Sequence, residues 1–360
     1  MQAAILFCTT LRSQNFYPRN NMKIITFGEL LLRLQPEGYY RFVQVDKMTS
    51  TFGGAEANVA VSLANFGEDS FFVTKLPCHE IGQSAVNSLR RFGVKTEYIV
   101  RGGNRVGIYF NERGASQRPS KCIYDRAGSA IALSQKSDFD WNKILEGADW
   151  FHFTGVTPAL GGELPEICIE ACKTANAKRI PVSCDLNYRS KLWSKQQAKE
   201  TMEKIAPYID ICISNEEDAM DVFGISADDT DIENGKLSKE GYKNVARKLS
   251  EKYGFKKVAI TLRSSINASR NKWAALFYDG TDYFFSREYD MAIVDRLGGG
   301  DSFCAGLIYS ILRNETSQRA VEFASAASCL KHSIEGDFNM VSVEEVERLA
   351  HGDSSGRIQR

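Results

Sequence analysis

The run Gly298-Gly299-Gly300-Asp301 leads without a break into the apolar stretch 302–312. Consecutive glycines leave backbone N–H groups free of side chains. A helix starting at Asp301 would aim its unpaired N–H groups and its positive dipole end at one point. That is an anion hole of the kind that offsets charge developing on a transferring phosphoryl group. Asp301 beside it could take a proton from an attacking hydroxyl, a general-base role that contributes about a hundred- to ten-thousand-fold in rate. The same four residues also read as a flexible approach to an aspartate N-cap.

Such chemistry needs elements that bring distant groups together. Short apolar, β-branched runs alternate along the chain with segments of helical period. Strand-like runs start at Lys23, Phe71, Trp150, Ile180, Ile211 and Lys256. Between them lie helical segments. The first runs from Ala55 to Gly67, with Val59, Leu63 and Phe66 on one stripe and the glycine as a stop. Strand after helix after strand predicts a doubly wound α/β fold, with a mainly parallel sheet covered by helices on both faces. The strands are near-continuously apolar, as doubly buried strands should be.

Two stretches, about 30–52 and 105–127, instead alternate polar and apolar residues and read as antiparallel ribbon, a small β lid over a site. In an open α/β sheet ligands bind beyond the carboxyl ends of the strands. That rule singles out Gly53-Gly54, the run Asp185 to Arg189, Asn215 to Asp218, Thr261 to Arg263, and Gly298 to Asp301 as the residues after strands.

The 360 residues are 43% hydrophobic and 25% charged, enough for a large core, with 45 basic and 45 acidic side chains. That balance argues against a nucleic-acid partner, which would call for a basic surface. The nine cysteines are dispersed, without a CxxC pair, and suit reduced thiols in a cytoplasmic protein. Four histidines, at 79, 152, 332 and 351, make a histidine-rich metal site a poor reading. No apolar run reaches the length of a bilayer span, so no membrane partner is expected. Residues 1–21 read as an extension outside the fold, with Met22 a candidate natural start, 22–350 as the folded domain, and 351–360 as a tail.

The string Asp295-Arg296-Leu297-Gly298-Gly299-Gly300-Asp301-Ser302-Phe303 resembles the C-terminal signature of the ribokinase-like (PfkB) carbohydrate kinases, with Gly299 where the family has alanine. Gly53, Gly54 and Asn58 resemble its N-terminal sugar-binding signature, and the likeness spans about 22–350. The resemblance implies ATP as phosphoryl donor, Mg²⁺, Asp301 as base, and the N–H groups of Gly298, Gly299 and Gly300 as the anion hole. It further implies nucleotide contacts from Asn215, Thr261, Arg263, Gly298 and Gly300, and Asn215 and Asp218 facing the Mg²⁺ through water. Asp218 stands where the family has glutamate, and the glycine-containing loop usual after Thr261 is absent here. The stretch 330–340 resembles the family's adenine-pocket lining. Some relatives carry a monovalent cation, K⁺, near Asp295.

Within the family, the segments around Gly53 and around Asp185 to Trp193 look most like those of kinases acting on 2-keto-3-deoxygluconate, a sugar acid. Arg189, placed after a strand, could bind a carboxylate bidentately, which a neutral sugar cannot reciprocate. A structural ion pair is the other reading of Arg189. Tyr109 and Tyr124 could cover the sugar with Arg126 nearby, or could simply pack the ribbon. Relatives of this type often carry an arginine where Asn111 stands. Alternatives are a fructokinase or other neutral-sugar kinase, a nucleoside kinase, and a non-catalytic sugar sensor on the same fold. The lid edge invites pairing with a second copy as a homodimer.

Overall fold

The structure is a computed structural model that describes residues 21–227, 232–233 and 236–353. Residues 1–20 of the expected extension and 354–360 of the tail lie outside the described residues.

Its strands are β1 (Lys23–Phe27), β2 (Leu31–Gln35), β3 (Thr49–Gly53), β4 (Asp69–Leu76), β5 (Ile99–Arg101), β6 (Ile108–Glu112), β7 (Lys121–Asp125) and β8 (Trp150–Thr154). They continue as β9 (Val182–Asp185), β10 (Ile211–Asn215), β11 (Ile232–Glu233), β12 (Lys236–Leu237), β13 (Lys257–Asn267), β14 (Arg270–Tyr278), β15 (Tyr283–Phe285) and β16 (Tyr289–Ala292). The main sheet has the order β15-β14-β13-β10-β9-β8-β1-β4-β5, with β16 also paired to β14. From β13 to β5 every pairing is parallel.

Alternation along β1 shows how the sheet builds two cores. Ile25 and Phe27 pack into one cluster with Phe151, Phe153 and Cys184, while Ile24 turns to the other with Trp150, Ile213 and Phe303. Side chains two apart share a face, so a strand apolar at every position serves both layers of helices. Helices end where the glycines foretell. Ala55–Asn65 is followed by Gly67 at φ +88°, and Glu216–Phe223 is closed by Gly224 at φ +67°. No helix among the described residues is long and apolar enough to cross a membrane.

The edge of the sheet departs from the parallel expectation. β13 runs on to Asn267 and returns antiparallel through β14. Thr261 and Arg263 therefore lie within a strand, not after one. Residues 263–267, polar except for Ile266, pair with 270–273 across the hairpin, with a register shift between Ser265 and Asn267.

The lid is a separate sheet of order β3-β2-β6-β7. Each ribbon is antiparallel as expected, and the two are joined by a parallel β2–β6 pairing.

Candidate active site

A cleft of about 1560 Å³ opens between the lid and the carboxyl ends of the parallel strands. That exceeds the few hundred to about a thousand Å³ that one small ligand occupies. Gly53, Gly54, Asn58, Tyr109, Tyr124, Arg126, Asp185, Arg189, Asn215, Asp218, Thr261, Arg263 and Gly298 to Asp301 all line it, so the folded chain gathers every candidate into one space.

The helix that follows the glycines spans Gly299–Leu312, with Gly298 as its N-cap. It starts two positions before Asp301, which therefore sits in the first turn and is not the cap. Gly298 holds φ +83°, and a Cβ there would come within 2.0 Å of the Asp337 carbonyl oxygen, so both conformation and contact require glycine. The Gly299 N–H leans back on the Arg296 carbonyl at 3.4 Å, while Ser302 N–H closes the first helical bond on Gly298 at 2.9 Å. Among the described residues the N–H groups of Gly300 and Asp301 have no carbonyl partner, and the space beside Gly300 is open. The free donors are thus centred one residue later than expected: Gly299 turns away and Asp301 joins.

The Asp301 carboxylate accepts from Asn58 Nδ2 at 2.7 Å. Asn58 is 3% exposed, and its Oδ1 accepts from the Gly54 N–H at 3.2 Å, so one amide ties the backbone just after β3 to Asp301. Burial moves the Asp301 pKa up from its ordinary 3.8 to about 7, against the pull of the Asn58 hydrogen bond. His332 is the one described histidine lining the cleft, and burial holds it down at about 4. The Cys304 thiol is raised well above its ordinary value by burial and by Asp185.

Asn215 is the N-cap of the helix Glu216–Phe223, its Oδ1 taking the N–H groups of Glu217 and Asp218 at 2.8 Å each. Its Nδ2 donates to Asp218 at 3.0 Å, which leaves it a positioning group for that carboxylate. Burial raises the Asp218 pKa to about 6, opposed by Arg189, and Asp185 is raised well above its ordinary value by burial and by Asp218.

Arg189 is exposed toward the cleft and donates to the Tyr188 carbonyl at 2.9 Å. It forms no ion pair among the described residues, so the structural-pair reading falls away. Arg126 differs: its Nε donates to Glu29 at 2.7 Å, with a second bond from Nη2, and Ser129 completes the Glu29 carboxylate at 2.6 Å. Its charge is committed to Glu29 instead of standing free for a ligand, a correction to the sequence expectation. Tyr109 is 3% exposed, with its O–H on the Asp337 carboxylate at 2.6 and 2.7 Å, and it stacks on Tyr124 at 5.9 Å. Of these two, Tyr124 presents open ring surface to the cleft, and Tyr109 is a packing residue of the lid.

Several groups escaped the sequence reading. Arg33 bridges Asp295 and Asp337 at 2.5 Å each, beneath Gly298. Of the stretch expected at the adenine pocket, His332 and Asp337 line the cleft. Asp337 stands on the lid side, where a Cβ on Gly53 would meet its carboxylate at 2.1 Å. Arg296 lines the cleft near Arg263, and burial together with that neighbour holds its pKa below the usual value. An arginine inside the strand pattern of β2 was the one available signal for Arg33.

The sequence profile of the pfkB family carbohydrate kinases matches residues 21–341. The crystal structure of a 2-dehydro-3-deoxygluconokinase from Thermotoga maritima is 53% identical, covers 92% of this chain and 99% of that one, and superposes with a TM-score of 0.89. A PfkB family carbohydrate kinase from Listeria grayi is 33% identical over 91% of this chain and 99% of its own, with a TM-score of 0.85. The 2-dehydro-3-deoxygalactonokinase of Haloferax volcanii is 29% identical over 334 residues, 93% of this chain and 98% of its own.

Proposed function

The chain belongs to the pfkB family of carbohydrate kinases, and from that premise we propose that it phosphorylates 2-keto-3-deoxygluconate (2-dehydro-3-deoxygluconate). The γ-phosphoryl group of ATP passes to the terminal primary hydroxyl and gives 2-keto-3-deoxy-6-phosphogluconate. The observation that carries this reading is Asp301, a carboxylate beside free helix N–H groups whose pKa is moved to about 7. A base works best with a pKa near the working pH.

In the proposed step the sugar hydroxyl gives its proton to Asp301 as its oxygen bonds to the γ-phosphorus. The bond to the β-phosphate oxygen breaks, and its electron pair leaves on ADP. The N–H groups of Gly300 and Asp301, with the Gly298 turn holding them, offset charge on the group in transit. Gly53, Gly54 and Asn58 hold the sugar, Tyr124 covers it, and Arg189 takes its carboxylate. Tyr109 and Arg126 act through Asp337 and Glu29 to set the lid. Thr261, Arg263 and Arg296 line the nucleotide side.

Magnesium carried by the ATP phosphates offsets their charge when bound. The donors fit such an ion: Asp218, steadied by Asn215, and Asp185 offer oxygens on the cleft wall, and Mg²⁺ commonly needs only one or two carboxylates beside substrate phosphates. Exposed Tyr39, Tyr40, Val43 and Ile123 in the lid segments support a homodimer formed there.

The name of the Haloferax relative favours a second substrate, 2-keto-3-deoxygalactonate, which shares the carboxylate and terminal hydroxyl and differs in configuration at C4. ATP turnover with both sugar acids, fructose and ribose tests the reading. We expect a sugar acid to exceed fructose in kcat/KM by at least about tenfold, as a site built around a charged partner should. A preference for fructose would return the neutral-sugar reading to first place.

A further inference from the structure

Some relatives in the family carry a monovalent cation beside Asp295, and the residues of this chain do not fit one. Lys331 ends the helix Ser317–Lys331 and is 0% exposed. Its Nζ donates to the carbonyl oxygens of Ile334 at 3.1 Å and Asp295 at 3.4 Å. Backbone carbonyls are the ligands with which a protein replaces the hydration shell of potassium. Here a covalently tethered ammonium already occupies that position.

The carboxylates nearby are occupied as well. Asp295 Oδ2 accepts from Arg33 at 2.5 Å and from the Gly336 N–H at 3.2 Å, and its Oδ1 takes the Leu297 N–H at 3.2 Å. Asp337 is held by Arg33 and by the Tyr109 hydroxyl. Two cations, Arg33 and Lys331, thus stand against two carboxylates, Asp295 and Asp337. A further buried cation would be uncompensated, and desolvation makes an unpaired buried charge costly. Burial pushes the Lys331 pKa down, while Asp295 and Asp337 oppose that shift.

The position matters for the site above it. The Lys331 Cε would lie 3.2 Å from a Cβ on Gly298, so the side chain packs against the underside of the turn that presents the free N–H groups. We infer that the Lys331 ammonium is a built-in substitute for a monovalent cation: it draws the Asp295 and Ile334 carbonyls together, fixes the Gly298 turn, and frees the enzyme from any potassium requirement. Lys331 is a positioning residue, since it acts on the anion hole through that turn. The activity arm of its test rests on the kinase reading, and the unfolding arm does not.

The experiment compares thermal unfolding and ATP turnover of the full chain in KCl, NaCl and tetramethylammonium chloride at equal ionic strength. Wild-type Tm should be the same in all three, and its turnover should agree within about twofold, because the ammonium already fills the position that a cation would couple to folding. Lys331→Ala removes the ammonium and leaves the carbonyls facing a space. In tetramethylammonium chloride its kcat should fall by about tenfold or more with KM for ATP little changed, as expected for a displaced anion hole. Potassium or ammonium should restore both kcat and Tm, and tetramethylammonium, too large for the space, should not. Lys331→Met fills the space without charge and should not be rescued by any cation. Potassium-specific activation or stabilisation of the wild type would overturn the inference, and that measurement stands even if Lys331→Ala does not fold. A folded Lys331→Ala whose losses are the same in all salts would also overturn it, because the lysine would then be packing alone. Absence of kinase activity on every sugar, with the salt pattern of Tm intact, would instead fault the functional reading.

Discussion

Two groups of charged side chains meet at Gly298 and behave in opposite ways. Below the turn, Arg33, Lys331, Asp295 and Asp337 are buried and closed on one another through ion pairs and main-chain bonds. Above it, Asp301, Asp218, Asp185 and Arg189 face the cleft and make no ion pair among the described residues. Both groups combine aspartates with an arginine, and the lower one adds a lysine. Where each carboxylate has a cation in contact, charge is neutralised and the cluster serves the fold. Where carboxylates are desolvated without such a partner, their pKa values climb, to about 7 at Asp301 and about 6 at Asp218, into the range useful for moving protons. Unpaired burial destabilises, and it persists in the upper group because ligands complete it.

The sharpest way to break this contrast is to make the same change in each group. Asp301→Asn should lower kcat on the order of a thousand-fold, with sugar and ATP binding kept within a few-fold, because only the proton acceptor is lost. It should not lower Tm. The folded pKa of Asp301 lies above its ordinary 3.8, so the native state holds this proton more tightly than the unfolded chain. The stability it contributes is present at low pH and is lost as pH rises toward about 7 and beyond, so the asparagine variant should match or exceed wild-type Tm at pH 8. Asp337→Asn should do the reverse first: it leaves Arg33 half-paired in the interior, a loss of about 3–5 kcal/mol in unfolding free energy. Denaturant unfolding and steady-state kinetics on both variants check this. A stable, active Asp337→Asn, or an unstable Asp301→Asn, would erase the distinction between the groups.

The two groups also differ in how far the sequence discloses them. Asp301 is legible because glycines, an acid and an apolar helix are neighbours in the chain, and local order alone puts the acid by the helix N-terminus. Even there the helix begins two residues before Asp301, since Gly299 and Gly300 are poor helix formers by themselves yet lie in the first turn. The helix Leu164–Ala177 is legible in the same way, because Pro165 at its start and the spacing of Leu164, Ile167, Cys168, Ala171 and Ala175 are local signals. The lower group is invisible by comparison. Arg33 meets Asp337 across 304 residues, and a lysine in the last turn of a helix, as at Lys331, reads as an ordinary partner of the helix dipole. The extension of β13 was missed for the same reason: its partner β14 supplies what residues 263–267 lack on their own.

Within the upper group, Arg189 carries the case for an acidic sugar. Among the described residues it has no carboxylate partner, only the Tyr188 carbonyl on one Nη, so its charge is open to a ligand, and charge-assisted bidentate bonds are roughly twice as strong as neutral ones. Arg189→Lys and Arg189→Ala should raise KM for 2-keto-3-deoxygluconate in that order. The alanine loss should be about 2–4 kcal/mol in kcat/KM, because the ligand carboxylate is left desolvated and unpaired. Any weak turnover of fructose should change little. Equal losses on the two sugars would move Arg189 to the structural group and withdraw the sugar-acid assignment.

The smallest effect probes the one bond that tempers the upper group. Asn58 donates to Asp301 at 2.7 Å, and this hydrogen bond favours the ionised carboxylate against the burial that disfavours it. In the free wild-type enzyme, kcat/KM should therefore rise with pH along an acid limb whose apparent pKa is about 7, the proton coming off Asp301. Asn58→Ala removes the donor and leaves burial unopposed, so the limb should move to higher pH. Because Asn58 also takes the Gly54 N–H, the variant should raise KM for the sugar as well, at pH values above the limb. Asn58→Asp replaces the donor with a second carboxylate and should move the limb further in the same direction, since a like charge disfavours ionisation of its neighbour. The limb position, measured for the three proteins with ATP saturating, separates this from a loss of binding alone, which lowers the plateau and leaves the pKa in place. A limb that stays fixed in both variants would mean that the titrating group is not Asp301.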